Sequence, residues 1–441
     1  MKLSRSRAAD DLSAMIRKRT VSYDDPGRME LKEFEGFRQL LTERFPAVAE
    51  GSERREIGLT GVLYKIKGET DEKPSVLMAH YDVVPADQAA WTEEPFSGTI
   101  KDGRIFGRGT LDTKSTLCAM MEAADAALKD GWRPKNDLYL SFSGEEETCG
   151  GSCGDIVKVL KEENVRPAFV LDEGGAVIPE GLPGLNRMAA MIGVAEKGTA
   201  NYRLTIKKKG GHTSTAPRRT ILGQLARAAV RIENHPFPAR LSEPVKLMFR
   251  ELSGEVPPYE KFAFEHPEIF SPAISAAAAV LGGTFNAMVR TTTAIVILEG
   301  RSAFNVLPDQ AEMGINVRLL AGDTVESAAE CLKKIIHDPE INVEILAGRD
   351  PSPTAEIRCP EWEMLKDVIR EVWPAAAAAP YQLNGGTDAR NYDEISNHVY
   401  RFSPMVMTKQ ERGSVHGANE SIALRSLFTT IVFYEKLLRK L

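Results

Sequence analysis

Cysteine is scarce in this chain, and its spacing does not pair. The five cysteines, at 118, 149, 153, 331 and 359, form no Cys-x-x-Cys pair, which excludes a structural zinc framework of that kind. They read as free thiols of a reducing compartment, with a redox pairing of Cys149 and Cys153 as the secondary reading. Long apolar runs are missing as well: no stretch reaches the ~18 residues of a membrane span. The opening MKLSRSRAADDLSAMIRKRT carries charge where a secretory leader needs an apolar core. There is no basic surplus, with 56 Lys and Arg against 62 Asp and Glu and a net charge of −6, so a phosphate backbone is not the expected partner. The segment GRIFGRG is too short and wrongly spaced for a dinucleotide loop, no phosphate-binding loop occurs, and no internal repeat is visible. A cytoplasmic protein acting without membrane or nucleic acid is the expectation.

What is present is an ordinary globular composition, 43 % hydrophobic and 27 % charged over 441 residues, long enough for two domains. The first ~70 residues read as two helices and a connecting strand. From Ser75 to Gly193 short apolar runs (SVLMA, DLYLSFS, AFVLD, AAMIGV) alternate with helical segments such as STLCAMMEAADAALKDG. That pattern predicts an α/β domain whose largely parallel sheet is flanked by helices on both faces. Near Lys197 the character changes. NYRLTIKKK alternates as a half-exposed strand does, its KKK at 207–209 reading as a solvated strand edge, and two strand–helix units follow. They predict an inserted α+β domain of ferredoxin-like kind. The expected boundaries are 1–197 and 350–441 for the larger, discontinuous domain and 198–349 for the insert. Within it, the aromatic- and alanine-rich stretch from about 236 to 290 is expected to pack the inserted domain, with an apolar acyl pocket as the alternative. The alanine run at 375–379 reads as low complexity.

Ionisable residues recur at the ends of the predicted strands, where open α/β sheets hold ligands. His80 and Asp82 close the first, Glu145, Glu146 and Glu147 follow DLYLSFSG, and Asp172 and Glu173 follow AFVL. Asp112 lies in the glycine-rich GRGTLDTKS before a helix, and His416 lies in SVHGANE. Taken singly, each has a bland explanation as core histidine, turn acid, helix cap or solvated face. Together they do not, because several carboxylates at one sheet edge repel unless cations sit among them. Two histidines with three or more carboxylates suit divalent zinc or cobalt, and an extra glutamate supplies a general base for an activated water.

The motifs AHYDVVP, GRGTLDTK, SGEEET, LDEGG, GGHTSTAP and VHGANE resemble, in order and rough spacing, those of the co-catalytic zinc hydrolases, which include aminoacylase-1, glutamate carboxypeptidase, succinyl-diaminopimelate desuccinylase and carnosinase. VAEKG, RTTTAIVILEGRSAFNVLP and the DEGG turn resemble the carboxypeptidase S and N-fatty-acyl-amino-acid synthase/hydrolase branch most. The resemblance implies that Asp112 bridges two zinc ions. His80 and the DEGG carboxylate join one ion, and Glu147 and His416 the other. Either Asp172 or Glu173 could serve, with Glu173 preferred. It makes Glu146 the general base and Asp82 the group that orients His80. His212 of GGHTSTAP becomes an oxyanion donor reaching a partner subunit's site, which implies a homodimer with the insert as its lid and dimerisation domain. Arg390, beside Gly386, would hold the substrate carboxylate, and Asn305 would add a polar contact. Two departures stand out: Glu145 where the family has aspartate, and Cys149 where it has glycine. The implied activity is release of a C-terminal amino acid from an N-acyl-amino acid or short peptide, with cobalt able to replace zinc. The alternatives are a dipeptidase of carnosinase type and a non-catalytic metal- or peptide-binding relative.

Overall fold

A computed structural model describes residues 5–182, 185, 187–300 and 303–441, so Arg301 and Ser302 of the RTTTAIVILEGRSAFNVLP motif lie outside the described residues. The backbone forms two principal sheets. The larger runs, edge to edge, through Glu53–Ile57, Gly61–Ile66, Asn136–Ser143, Thr70–His80, Phe169–Asp172, Val399–Arg401, Met188–Glu196 and Ala376–Leu383, with Ala176–Ile178 attached to Met188–Glu196. Its four central strands, Asn136–Ser143 to Val399–Arg401, are mutually parallel, while pairings toward both edges include antiparallel ones. The centre is covered on both faces. Leu77 and Ala79 enter one core with Leu138, Leu140, Phe142 and Leu171, while Val76 and Met78 enter the opposite core with Tyr139 and Val170. Alternate side chains of a strand point to opposite faces, so a strand buried on both sides must be apolar throughout. The helices Lys114–Lys129, Pro360–Val372 and Leu424–Leu438 close the first face and Ser152–Glu162 the second.

The smaller sheet is antiparallel, in the order Thr292–Glu299, Gln310–Leu319, Gly198–Lys207, Asn342–Arg349. With Ile221–Asn234 and Val325–Ile336 packed on one face, this is the strand–helix–strand–strand–helix–strand arrangement of a ferredoxin-like unit. Tyr202, Leu204, Ile206, Met313, Ile315 and Val317 point into that core, and the other face stays open.

Two segments differ from expectation. The N-terminal region carries three helices, Arg5–Ile16, Leu31–Arg44 and Pro46–Gly51, and then two strands rather than one. The stretch from 236 to 290 packs mainly on the larger sheet: Leu241, Val245, Met248 and Leu252 meet Ala189, Met191, Ala377 and Ala379. The supposed low-complexity alanine run is therefore the start of an edge strand. Alanine has a poor strand propensity, but its small side chain lets the Glu243–Leu252 helix lie close. Leu182, Leu185 and the helices Glu243–Leu252, Pro258–Glu265, Pro267–Leu281 and Gly283–Val289 wall an apolar cavity of about 210 Å³. Among the described residues no helix is long and apolar enough to cross a membrane.

Candidate dinuclear metal centre

The parallel strands deliver their polar ends to one edge. His80 ends its strand directly beside Ser143, so the Glu145–Glu147 turn follows next to it. Asp112 arrives on the loop before Lys114–Lys129. There Gly107 and Gly109 take positive φ, and a Cβ on Gly107 would stand 2.4 Å from Ile16. The Asp112–Thr113 peptide bond is cis.

His80 Nε2 stands 2.9 Å from Asp112 Oδ1 and 3.2 Å from Glu173 Oε1. His416 Nε2 stands 3.1 Å from Asp112 Oδ2 and 2.9 Å from Glu147 Oε2. One carboxylate thus faces two imidazoles, each of which also meets its own glutamate. Glu146 reaches to 3.9 Å of His80 Nε2. Two overlapping clusters, His80–Glu146–Glu173 and His80–Asp112–Glu147, bring their ligand atoms within 4.8 Å of one another.

The arrangement calls for cations. His80 Nδ1 lies 3.1 Å from the Asp82 carbonyl oxygen and 3.3 Å from its Oδ1, so Nδ1 carries the proton. In a neutral ring the lone pair of Nε2 then points at two carboxylates, a repulsive geometry unless a proton or metal ion lies between. Burial alone would lower the His80 pKa, but Glu173, Asp112 and Asp82 raise it well above the ordinary range. Hydrogen bonds donated to Asp112 and Glu147 push His416 up to about 10. Burial, and after it the Asp112 charge, pushes the Glu173 carboxyl up to about 8. Glu147 Oε1 is buried with no hydrogen-bond partner. Two imidazoles, three carboxylates and an orphaned carboxylate oxygen fit a pair of divalent ions, and dinuclear metal binding is what this site is built for.

Asp82 does more than orient His80. Its two carboxylate oxygens accept the backbone N–H groups of Glu146 and Glu147, each at 3.1 Å, and the Ser22 hydroxyl at 2.7 Å. Of the two acids in the DEGG turn, Glu173 faces His80. Asp172 instead accepts N–H groups from Glu173 and Ala389, both at 2.8 Å. Glu145 turns away to accept the Thr60 hydroxyl at 2.9 Å and that of Ser152. Cys149 sits at φ 55°, ψ 38°, the left-handed region that glycine adopts without cost.

The remaining predicted residues lie elsewhere. Arg390 Nη2 stands 2.5 Å from Glu196 Oε2, packed so tightly on Gly386 that a Cβ there would overlap it. Glu196, Lys197, Arg349 and Arg390 line a cavity of about 240 Å³ where the chain passes between the sheets. His212 and Asn305 are neighbours on the smaller unit, with the Asn305 carbonyl accepting the Thr213 N–H at 3.2 Å. Among the described residues neither touches the metal-binding cluster.

Two residues of this edge escaped sequence reasoning. Glu420 is fully buried and accepts N–H groups from Gly109, Leu111 and Asp112 at 3.1, 2.7 and 3.3 Å, with Arg108 at 2.6 Å. It ties the His416 loop to the Asp112 loop, and its signal was the final acid of VHGANE. Asp388, half-buried beside the Ser143 hydroxyl, is pushed up to about 7 by desolvation and further by Asp172 and Asp82. It was visible only as the acid two residues before Arg390 in NGGTDAR.

The comparisons with known proteins agree with this centre. A model of the peptidase family M20/M25/M40 matches residues 76–440. The human N-fatty-acyl-amino acid synthase/hydrolase PM20D1 is 33 % identical over 86 % of this chain and 76 % of its own length. A probable carboxypeptidase S-like protein of Dictyostelium discoideum is 30 % identical over 99 % of this chain and 85 % of its own. In fold, the chain resembles the M20 family metallo-carboxypeptidase Sso-CP2 from Sulfolobus solfataricus, with a TM-score of 0.69 at 18 % identity and 98 % of each chain covered. It also resembles human carnosine dipeptidase 1, with a TM-score of 0.64 at 15 % identity, 99 % of this chain and 96 % of that one. The two-histidine, multi-carboxylate edge and the family match over most of the chain lead to one conclusion: the protein belongs to the M20/M25/M40 peptidase family.

Proposed function

We propose that this chain is a di-zinc amidohydrolase that cleaves the amide bond of an N-acyl-amino acid or short peptide and releases the C-terminal amino acid. The observation that carries the reading is Asp112, whose two oxygens each face a different histidine, with Glu146 at hand. His80, Glu173 and Asp112 would hold one ion, and His416, Glu147 and Asp112 the other. When bound, such a pair polarises the scissile carbonyl and acidifies water.

The chain's own residues do the rest. Glu146 removes a proton from the attacking water as its oxygen adds to the carbonyl carbon. The same carboxyl then gives that proton to the leaving nitrogen as the C–N bond breaks. In the metal-free chain burial holds the Glu146 carboxyl well above its usual range, opposed by His80 and reinforced by Glu173 and Asp388; two bound cations would draw it back toward the ionised form a base needs. Asp82 keeps Glu146 in line by gripping its backbone N–H. Arg390 is the assigned partner of the substrate carboxylate, since a guanidinium fork suits a carboxylate and Glu196 fixes its position. His212 Nδ1 accepts the Ser214 N–H at 3.2 Å, which leaves the proton on Nε2, free to donate to an oxyanion, with Asn305 adjacent.

In this reading residues 1–197 and 350–441 form the catalytic domain, and 198–349 form a lid that also dimerises. Support comes from the Thr292–Glu299 edge strand, where Val296, Ile297 and Leu298 are exposed, with Phe304 and Val306 nearby; an apolar exposed edge calls for a covering partner. The cytoplasmic assignment draws on five free cysteines. N-acyl-amino acids are favoured as substrates by the name of the human relative, and a dipeptidase is the competing reading. The test is hydrolysis of an N-acyl-amino-acid series of varied chain length against a dipeptide panel with zinc-loaded protein. Glu146→Gln is expected to lose ~10²–10⁴-fold in kcat at unchanged metal content. A Glu146→Gln enzyme with full activity would overturn the base assignment, and a preference for dipeptides the acyl reading.

A further inference from the structure

A second set of metal-ligating side chains lies at the opposite end of the same sheet. The ligand atoms of Cys359, Glu361 and His398 fall within 4.8 Å of one another. His398 precedes the Val399–Arg401 strand, and its carbonyl accepts the Val170 N–H at 2.9 Å. The group therefore sits where the parallel strands begin, whereas His80, Glu146 and Glu173 sit where they end.

Three features make this more than a chance cluster. First, the His398 ring is oriented: Nδ1 lies 2.8 Å from the Ala168 carbonyl oxygen, so Nδ1 donates and Nε2 presents its lone pair toward the cluster. A backbone carbonyl on the far nitrogen is how metal-bound histidines are commonly fixed. Second, Glu356 offers a further carboxylate, with Oε2 at 3.7 Å from His398 Nε2. Two ligands on one tetrahedral zinc lie roughly 3.3–3.7 Å apart, given bonds of ~2.0–2.3 Å. Third, Cys359 occupies the N-cap position of the Pro360–Val372 helix, where the helix dipole favours a thiolate. Its Sγ lies 3.3 Å from the Tyr400 hydroxyl.

We propose that Cys359, His398, Glu361 and Glu356 form a separate, structural site for a zinc-class divalent cation, pinning the start of the Pro360–Val372 helix to the base of the central strand. Sulfur, imidazole and carboxylate together are a zinc-type ligand set. Burial raises the Cys359 thiol, opposed by Tyr400 and the Trp362 backbone N–H, so the cation displaces the thiol proton as it binds.

The test uses the full chain, stripped of metal and titrated with Co²⁺. The co-catalytic centre contains no cysteine, so a thiolate-to-cobalt charge-transfer band reports this site alone. Three metals per chain and the band are expected. Cys359→Ser should abolish the band and the third metal while hydrolysis persists. His398→Ala and Glu361→Gln should each weaken the third equivalent by at least the ~10–100-fold that losing an outer-shell partner costs, which keeps the test decisive if the serine variant folds poorly. Two metals with no thiolate band, or a band that survives Cys359→Ser, would overturn the proposal.

Discussion

The two sheets treat their faces differently, and that difference divides the labour of the molecule. The larger is covered on both sides, so Val76 and Leu77 are equally buried and only the strand ends remain for chemistry. The smaller is covered on one side. Its strands alternate, with Tyr202 buried and Asn201 and Arg203 outward, and its edge exposes Val296 and Leu298. A sheet with no free face can concentrate charge at an end, where several strands deliver side chains to one point. A sheet with a free face and edge is suited to meeting another surface. Metal binding thus falls to the larger unit, and the proposed subunit contact would fall to the smaller one.

The largest effect that would sharpen this division is Asp112→Ala. Because one carboxylate serves both halves of the centre, metal analysis should find both ions lost and hydrolysis abolished; loss of only one ion would break the bridging reading. On the smaller unit, His212→Ala should lower kcat by ~10²–10³-fold without changing metal content. Mixing it with Glu146→Gln should restore part of the activity if sites are shared between subunits, and a flat mixing curve would confine each site to one chain. Asp82→Asn removes a charge but keeps the shape, so a ~10–100-fold loss of metal affinity is expected by competition with a chelator.

A smaller effect concerns pH in the metal-stripped chain. The folded pKa of Glu173 is raised from 4.5 to about 8 and that of His416 from 6.5 to about 10. A raised folded pKa means the native state binds protons more tightly, so its stabilisation is present at low pH and fades as pH rises through those values. Thermal melts should show the stripped chain losing stability from about pH 5 toward pH 9 relative to the zinc-loaded one, since metal binding strengthens as ligands deprotonate. The smallest change is Cys149→Gly, which relieves the left-handed backbone at that position and should add about 1 kcal/mol in chemical denaturation. A loss of stability instead would assign the Cys149 side chain a packing role.

Much of the metal-binding edge was legible because each element is local. A histidine or acid directly after an apolar run marks a strand end, and this holds for His80, Glu146–Glu147 and Glu173. Which of Asp172 and Glu173 faces His80 was not legible, because both come at the end of one strand and the Ala389 N–H that helps take up Asp172 lies more than 200 residues later. Glu420 was hidden for a similar reason: its partners lie at 108–112. The 236–290 stretch was assigned the wrong neighbour because the strand that receives it is an alanine run with no strand signature of its own.

By itself the sequence determined the alternation of strands and helices, the family motifs and the identity of the acids and histidines that end the strands, since these depend on residue type and short spacing. The tertiary structure decided which carboxylate meets which imidazole, where the alanine strand lies, and that Cys359 and His398 come together beside Glu361. Those outcomes depend on contacts between segments far apart in the chain, and no local pattern encodes the partner.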